Sequence, residues 1–138
     1  MTTLALTYVQ ELRAALKVPG FPAVMEPSPV RAIAREDPRV VSVQLGAESV
    51  ESMAVPRVAR VREIHLIVHT CGDDHLELAE DVFEAAHPLL MGYSGKNVIS
   101  VAEFGTDEPK YANGDLRRQV VTKRYRITYQ TDEQSLSG

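Results

Sequence analysis

The sequence predicts an α+β fold, a mainly antiparallel sheet of about four strands with two main helices packed on it, and three segments carry that expectation. Between Arg117 and Thr131, Val121, Tyr125, Ile127 and Tyr129 fall on one parity, while Arg118, Thr122, Arg124, Arg126 and Thr128 fall on the other. That is the period-two signature of a strand with one buried face. From Thr3 to Lys17, the apolar residues Ala5, Val9, Leu12 and Leu16 recur at helical spacing and form one stripe. Asp74 followed by Glu77 resembles a capping pair ahead of Leu78, Ala79, Val82, Phe83 and Ala86, which line one side of a second helix.

Taken in chain order, Thr2 or Thr3 supplies a cap for the first helix, and Pro19 and Gly20 stop it. Pro22, Pro27 and Pro29 keep the next stretch extended or turning, with one helical turn expected from Ser28-Pro29 through Arg35. Val41, Val43 and Leu45 alternate with Ser42 and Gln44 in a first strand over 39–45, and Gly46 to Pro56 reads as a polar connection. A long β-branched strand over 58–70 puts Ile64, Leu66 and Val68 on its core face. Pro88 is expected to end or kink the second helix, because its ring conflicts with the carbonyl four residues earlier. Lys96 to Phe104 gives a third strand with Ile99 and Val101 on one side. Gly105 to Leu116 is a polar loop with Pro109 and the turn dipeptide Asn113-Gly114. The last seven residues, Asp132 to Gly138, offer nothing to bury and are expected to be mobile.

A length of 138 residues suits one domain spanning 1–138. The net charge of -4 removes any general attraction to nucleic acid or anionic lipid, because both need a basic surface. A single cysteine, Cys71, excludes an intramolecular disulfide, and the amino terminus lacks the basic start and apolar core of a secretory signal. These features lead to the expectation of a soluble protein made in the cytoplasm, with no membrane partner.

The densest group of chemically capable side chains is Cys71, Asp73, Asp74 and His75, with His65 and His69 upstream. His65 and His69 share a strand face but stand roughly 13 Å apart at about 3.3 Å per residue, too far to grip one ion. Gly72 as a turn, an aspartate as a cap and Cys71 as a small apolar group account for the cluster without chemistry. A Cys71 nucleophile would need a base and an oxyanion site, and only His75 is near in sequence. Gly92-Tyr93-Ser94-Gly95-Lys96 lacks the spacing and the hydroxyl of a phosphate loop. No catalytic, cofactor-binding or metal-binding residue is therefore assigned, and no enzyme activity is expected.

The surface feature that exceeds the background is the run of Arg117, Arg118, Lys123, Arg124 and Arg126 in an acidic chain. A solvated edge or sheet face accounts for it without function; as a binding surface, with no groove-reading helix and few aromatics for base stacking, it fits a protein partner better than nucleic acid. Arg118, Arg124 and Arg126, with Asp107, Glu108 and Lys110 of the adjoining loop, form the expected interface. The connections over 46–56 and 105–116 are expected to be mobile until they dock.

The helix at the amino terminus, the Val-rich first strand, the strand Arg60-Val61-Arg62-Glu63-Ile64-His65-Leu66-Ile67-Val68, the capped helix and the closing Thr122-Lys123-Arg124-Tyr125-Arg126-Ile127-Thr128-Tyr129 together resemble the phage minor tail protein U family of tail terminators. The resemblance covers nearly the whole chain in element order and strand character. It implies a virion protein assembled in the host cytoplasm: a ring, usually of six subunits, that caps the tail tube, stops its growth and meets head-completion or connector proteins. It implies no catalytic residue. The alternatives from the same sequence are a head-tail connector or neck protein and, from another class, a small metal- or thiol-dependent enzyme using Cys71, Asp73 and His75.

Overall fold

The fold, taken from a computed structural model, is described for residues 2–28, 31–32, 37–54, 56–111 and 118–138. Its elements in order are α1 (Leu4–Ala15), β1 (Val24–Met25), β2 (Arg39–Ala54), β3 (Arg57–Cys71), α2 (His75–Met91), β4 (Val98–Thr106), β5 (Lys110–Tyr111) and β6 (Arg118–Asp132). The fold is α+β: two helices and one six-stranded sheet among the described residues. The sheet runs β1-β2-β3-β6-β4, with β5 pairing β6. Its long strands are antiparallel, but β1 joins β2 in parallel, so the sheet is mixed and has more strands than the expected four.

The unbroken register between β3 and β6, from Arg57↔Asp132 to Cys71↔Arg118, forms the spine of the sheet. Because a strand alternates its faces, this register stacks Ile64, Leu66 and Val68 beside Tyr125, Val121 and Ile127 on one side. Val41 and Val43 extend that layer, and α1 and α2 close it with Leu4, Tyr8, Val9, Leu12 and Leu16 and with Ala79, Val82, Phe83, Ala86 and Leu90. Both helices thus pack on one face of the sheet, as a set of amphipathic elements sharing one core requires.

At the helix ends, Thr3 caps α1 by accepting the Leu6 N–H at 3.2 Å, as its sequence position suggests. Asp74 occupies the N-cap position of α2 but makes no side-chain cap bond, contrary to the capping-pair expectation. Pro88 does not end α2, which continues to Met91. Pro88 is exposed, while the turn beyond it is anchored by the buried Leu90 and closed by the Gly92 N–H on the Pro88 carbonyl at 2.9 Å.

Of the polar connection expected over 46–56, residues 46–54 are instead the second half of β2, and Val55 lies outside the described residues. Two bulges hid that half. Between Leu45↔Ile64 and Glu48↔Arg62, and again between Val50↔Arg60 and Ser52↔Ala59, β2 advances one residue more than β3. Each extra residue flips the side-chain parity, so the period-two pattern breaks although the pairing continues. The same device in β4 corrects the placement of Ile99: the register steps between Val98 and Ser100, leaving Val98 and Val101 against the core and Ile99 exposed.

The expected loop over 105–116 begins with the end of β4 and contains β5, paired as Lys110↔Val120 and Tyr111↔Gln119. Its Asn113-Gly114 dipeptide lies outside the described residues, as does most of the turn expected from Pro29 through Arg35. At that turn's start, the Ala32 N–H bonds the Ser28 carbonyl at 2.9 Å. The last residues make backbone bonds to the rest of the chain: the Leu4 N–H bonds the Leu136 carbonyl at 2.9 Å, and the Glu133 N–H bonds that of Pro56 at 2.8 Å. The Gly138 carbonyl accepts from the Asp132 N–H at 3.0 Å and from Arg57 at 3.2 Å.

Candidate functional site

The side of the sheet away from α1 and α2 is built from the other parity of β3 and β6. There His65 is level with Arg124, Glu63 with Arg126, and Val61 with Thr128. The expected interface residues divide across this surface. Arg124 reaches Asp107 with two nitrogens, Nε at 3.2 Å and Nη2 at 3.0 Å, and touches Glu63 with Nη1 at 3.5 Å. Glu63 also meets His65 Nε2 at 3.1 Å. Asp107 is held in place because its own N–H bonds the Thr122 carbonyl at 2.8 Å. The hydrogen bonds and negative charge of Asp107, then those of Glu63, hold the Arg124 pKa above its ordinary value.

Arg126 is exposed and lays its guanidinium over the Phe104 ring, 3.7 Å from the centroid, a cation–π contact. Glu108 and Lys110 are exposed, but Lys110 pairs with Val120 and Arg118 lies level with Cys71, both toward the far end of β6 from Arg126. Six residues separate Arg118 from Arg124, roughly 20 Å along a strand, so they do not form one patch. Arg117 lies outside the described residues. The expected wet and basic face is corrected in two respects: Arg124 is neutralised by carboxylates from β3 and the turn after β4, and Lys123 belongs to the helix side.

That Lys123 sits 3.3 Å from Glu103 and 5.6 Å from the Phe83 ring centroid, beside a groove of about 370 Å³ between α2 and β4. The groove is lined by Glu80, Phe83, Glu84, His87, Glu103 and Lys123. His87 Nδ1 shares a hydrogen bond of 2.7 Å with the Tyr125 hydroxyl, whose pKa burial pushes up. Glu63, His65, Phe104 and this groove were missed by the sequence reading. Glu63 and His65 carried one available signal, since they lie on the strand parity opposite Ile64 and Leu66.

The cluster around Cys71 is dispersed. Cys71 ends β3 and its N–H bonds the Pro38 carbonyl at 3.0 Å. His75 begins α2, its ring edge-on to Tyr111 at 5.8 Å, and its carbonyl accepts the Thr70 hydroxyl at 3.1 Å. His69 stands level with Val40 and Val120, while His65 is engaged by Glu63. Among the described residues, no group of three or more His, Cys, Asp or Glu is placed to hold a metal ion. No described helix is long and apolar enough to cross a membrane.

A second charged group closes the other end of the helix side. Glu48 accepts the Tyr129 hydroxyl and lies 3.9 Å from both Arg60 and Arg62. Burial, followed by this bond, holds Tyr129 in its protonated form. Tyr8 packs edge-on against Tyr129 at 5.3 Å and donates to the Lys96 carbonyl; burial and the nearby Glu11 raise its pKa to about 12. These groups lock α1 to the sheet. In comparisons with known proteins, no family model and no curated relative matches the chain.

Proposed function

We propose that the chain is a structural assembly protein that caps a phage tail tube as a ring, ends its polymerisation and presents the joining surface for head proteins. The observation that supports this reading is the one-sided construction of the sheet. Neither α1 nor α2 covers the face that carries Asp107, Arg124, Glu63 and His65, yet its side chains are already ordered by mutual bonds. A surface fixed before docking loses less side-chain entropy on contact, and such contact is what a ring component needs. The two sides of the sheet are chemically unlike, which lets one side of a copy meet the other side of its neighbour, and such heterologous contacts close into rings when the rotation permits.

The test combines light scattering with negative-stain microscopy of the protein alone and with tail tubes. Rings are expected in solution at high concentration or on tube ends. The change Arg126→Glu, which leaves the Arg124–Asp107–Glu63 network in place, should leave the thermal midpoint nearly unchanged and weaken ring formation more at low salt than at high salt. A strict monomer that never binds tubes would sink the reading.

A further inference from the structure

We propose that the outer edge of β4, together with the groove beside α2, is an acceptor for a short extended segment of a partner protein in which basic and apolar residues alternate. Among the described residues β4 is the last strand of the sheet, so one row of its backbone groups has no described strand beside it. Its nine residues, Val98–Thr106, include no lysine, arginine or proline, and its edge is interrupted only by two bulges and the single charge of Glu103. Ile99 and Phe104 are exposed on it at 56% and 48%. Extended chains add to edges of this kind through main-chain bonds, and side-chain pockets then select the sequence.

The chemistry on either side of the edge specifies the guest. On the helix side, an added strand would project every second side chain toward Glu80, Glu84 and Glu103 above the Phe83 ring. Lys123 is the one Lys or Arg lining that groove and it pairs with Glu103, while Glu80 and Glu84 make no ion pair among the described residues. The exposed face of α2 adds Glu77 and Asp81 and carries no lysine or arginine. Cationic side chains are therefore complementary to this side. On the other side, the half-exposed Phe104 beneath Arg126 offers an apolar contact.

The bulges at Val98/Ser100 and Glu103/Gly105 leave only Ser100 to Glu103 in regular register. An interval that short suits a few residues of peptide and opposes continuous pairing with the long edge of a second copy. The inference stands apart from the ring reading, because peptide capture and ring formation can each fail while the other succeeds.

The probe is a blocked eight-residue peptide of alternating lysine and valine, compared with one of alternating glutamate and valine, added to the full chain. Binding is read by fluorescence anisotropy and its location by hydrogen exchange. The lysine peptide is expected to bind at least about tenfold more tightly than the glutamate peptide, more weakly as salt rises, and to slow exchange over 98–106. Glu80→Lys with Glu84→Lys, both on the exposed face of α2, should weaken it about tenfold or more with the fold unchanged by circular dichroism. Equal affinity for the two peptides, full binding by the variant, or unchanged exchange over 98–106 would overturn the proposal. So would protection of 98–106 that grows with protein concentration alone, since the occupant would then be a second copy.

Discussion

The two faces of β6 differ in what holds their side chains, although they alternate residue by residue. Tyr125, Ile127 and Tyr129 are at most 2% exposed and belong to one apolar layer. Arg124 and Arg126 stand between them on the opposite face, one held by Asp107 and Glu63, the other lying on Phe104. The inner face is specified by a rule internal to the strand, while the outer face depends on which strands arrive beside it. The inner face should therefore govern stability and the outer face should govern contacts.

The largest expected effect tests the first half of that contrast. Ile127→Ala removes a side chain that is 1% exposed in the middle of the core layer. It should destabilise the protein by about 3 kcal/mol, the sum of lost transfer energy and a residual cavity. Urea denaturation measures it, and a loss below about 1 kcal/mol would show that the layer collapses around the gap and is less closely packed than its burial suggests.

A smaller effect crosses from one face to the other. Gly46 lies in the first bulge of β2, where an added Cβ would stand 2.5 Å from His65 Nε2 and 2.9 Å from Glu63 Cβ. Gly46→Ala should therefore displace His65 and break its bond to Glu63, costing roughly 1–3 kcal/mol in strain. The His65 ring resonances should shift while those of Tyr125 stay in place. If the Tyr125 resonances move equally, the outer network is coupled to the core and the division between the faces fails.

The same division explains what the sequence discloses. The parity of β6, the stripe of α1 and the core side of α2 follow from periodic burial, so they can be read from residue spacing. Half of β2 could not, because the bulges after Leu45 and Val50 reverse parity twice and make a paired strand look like a polar loop. Arg124 was legible as an exposed cation, but its partners were not: Asp107 comes from the turn after β4 and Glu63 from β3, 17 and 61 residues away. The groove was less legible still, since Glu80 and Glu84 look like ordinary solvated helix residues until β4 brings Glu103 beside them.

The smallest expected effect is a pH dependence at His69, the one histidine of the outer face set between aliphatic neighbours. Val40 of β2 and Val120 of β6 are its partners in register, and burial lowers its pKa below the ordinary 6.5. The unfolded chain therefore takes up a proton on this residue at a higher pH than the folded chain does. Its contribution to stability is complete above about pH 6.5 and is lost as the pH falls toward and through the lowered folded value. Carboxylates also titrate under acid, so the informative quantity is the difference from a variant. Urea midpoints at about pH 7.5 and about pH 5.5 should fall less for His69→Gln than for the unaltered protein, since the amide keeps the polarity and takes no proton. If both proteins lose the same stability over that interval, His69 is as well solvated when folded as when unfolded, and the outer face is wetter at its Val40 end than its packing indicates.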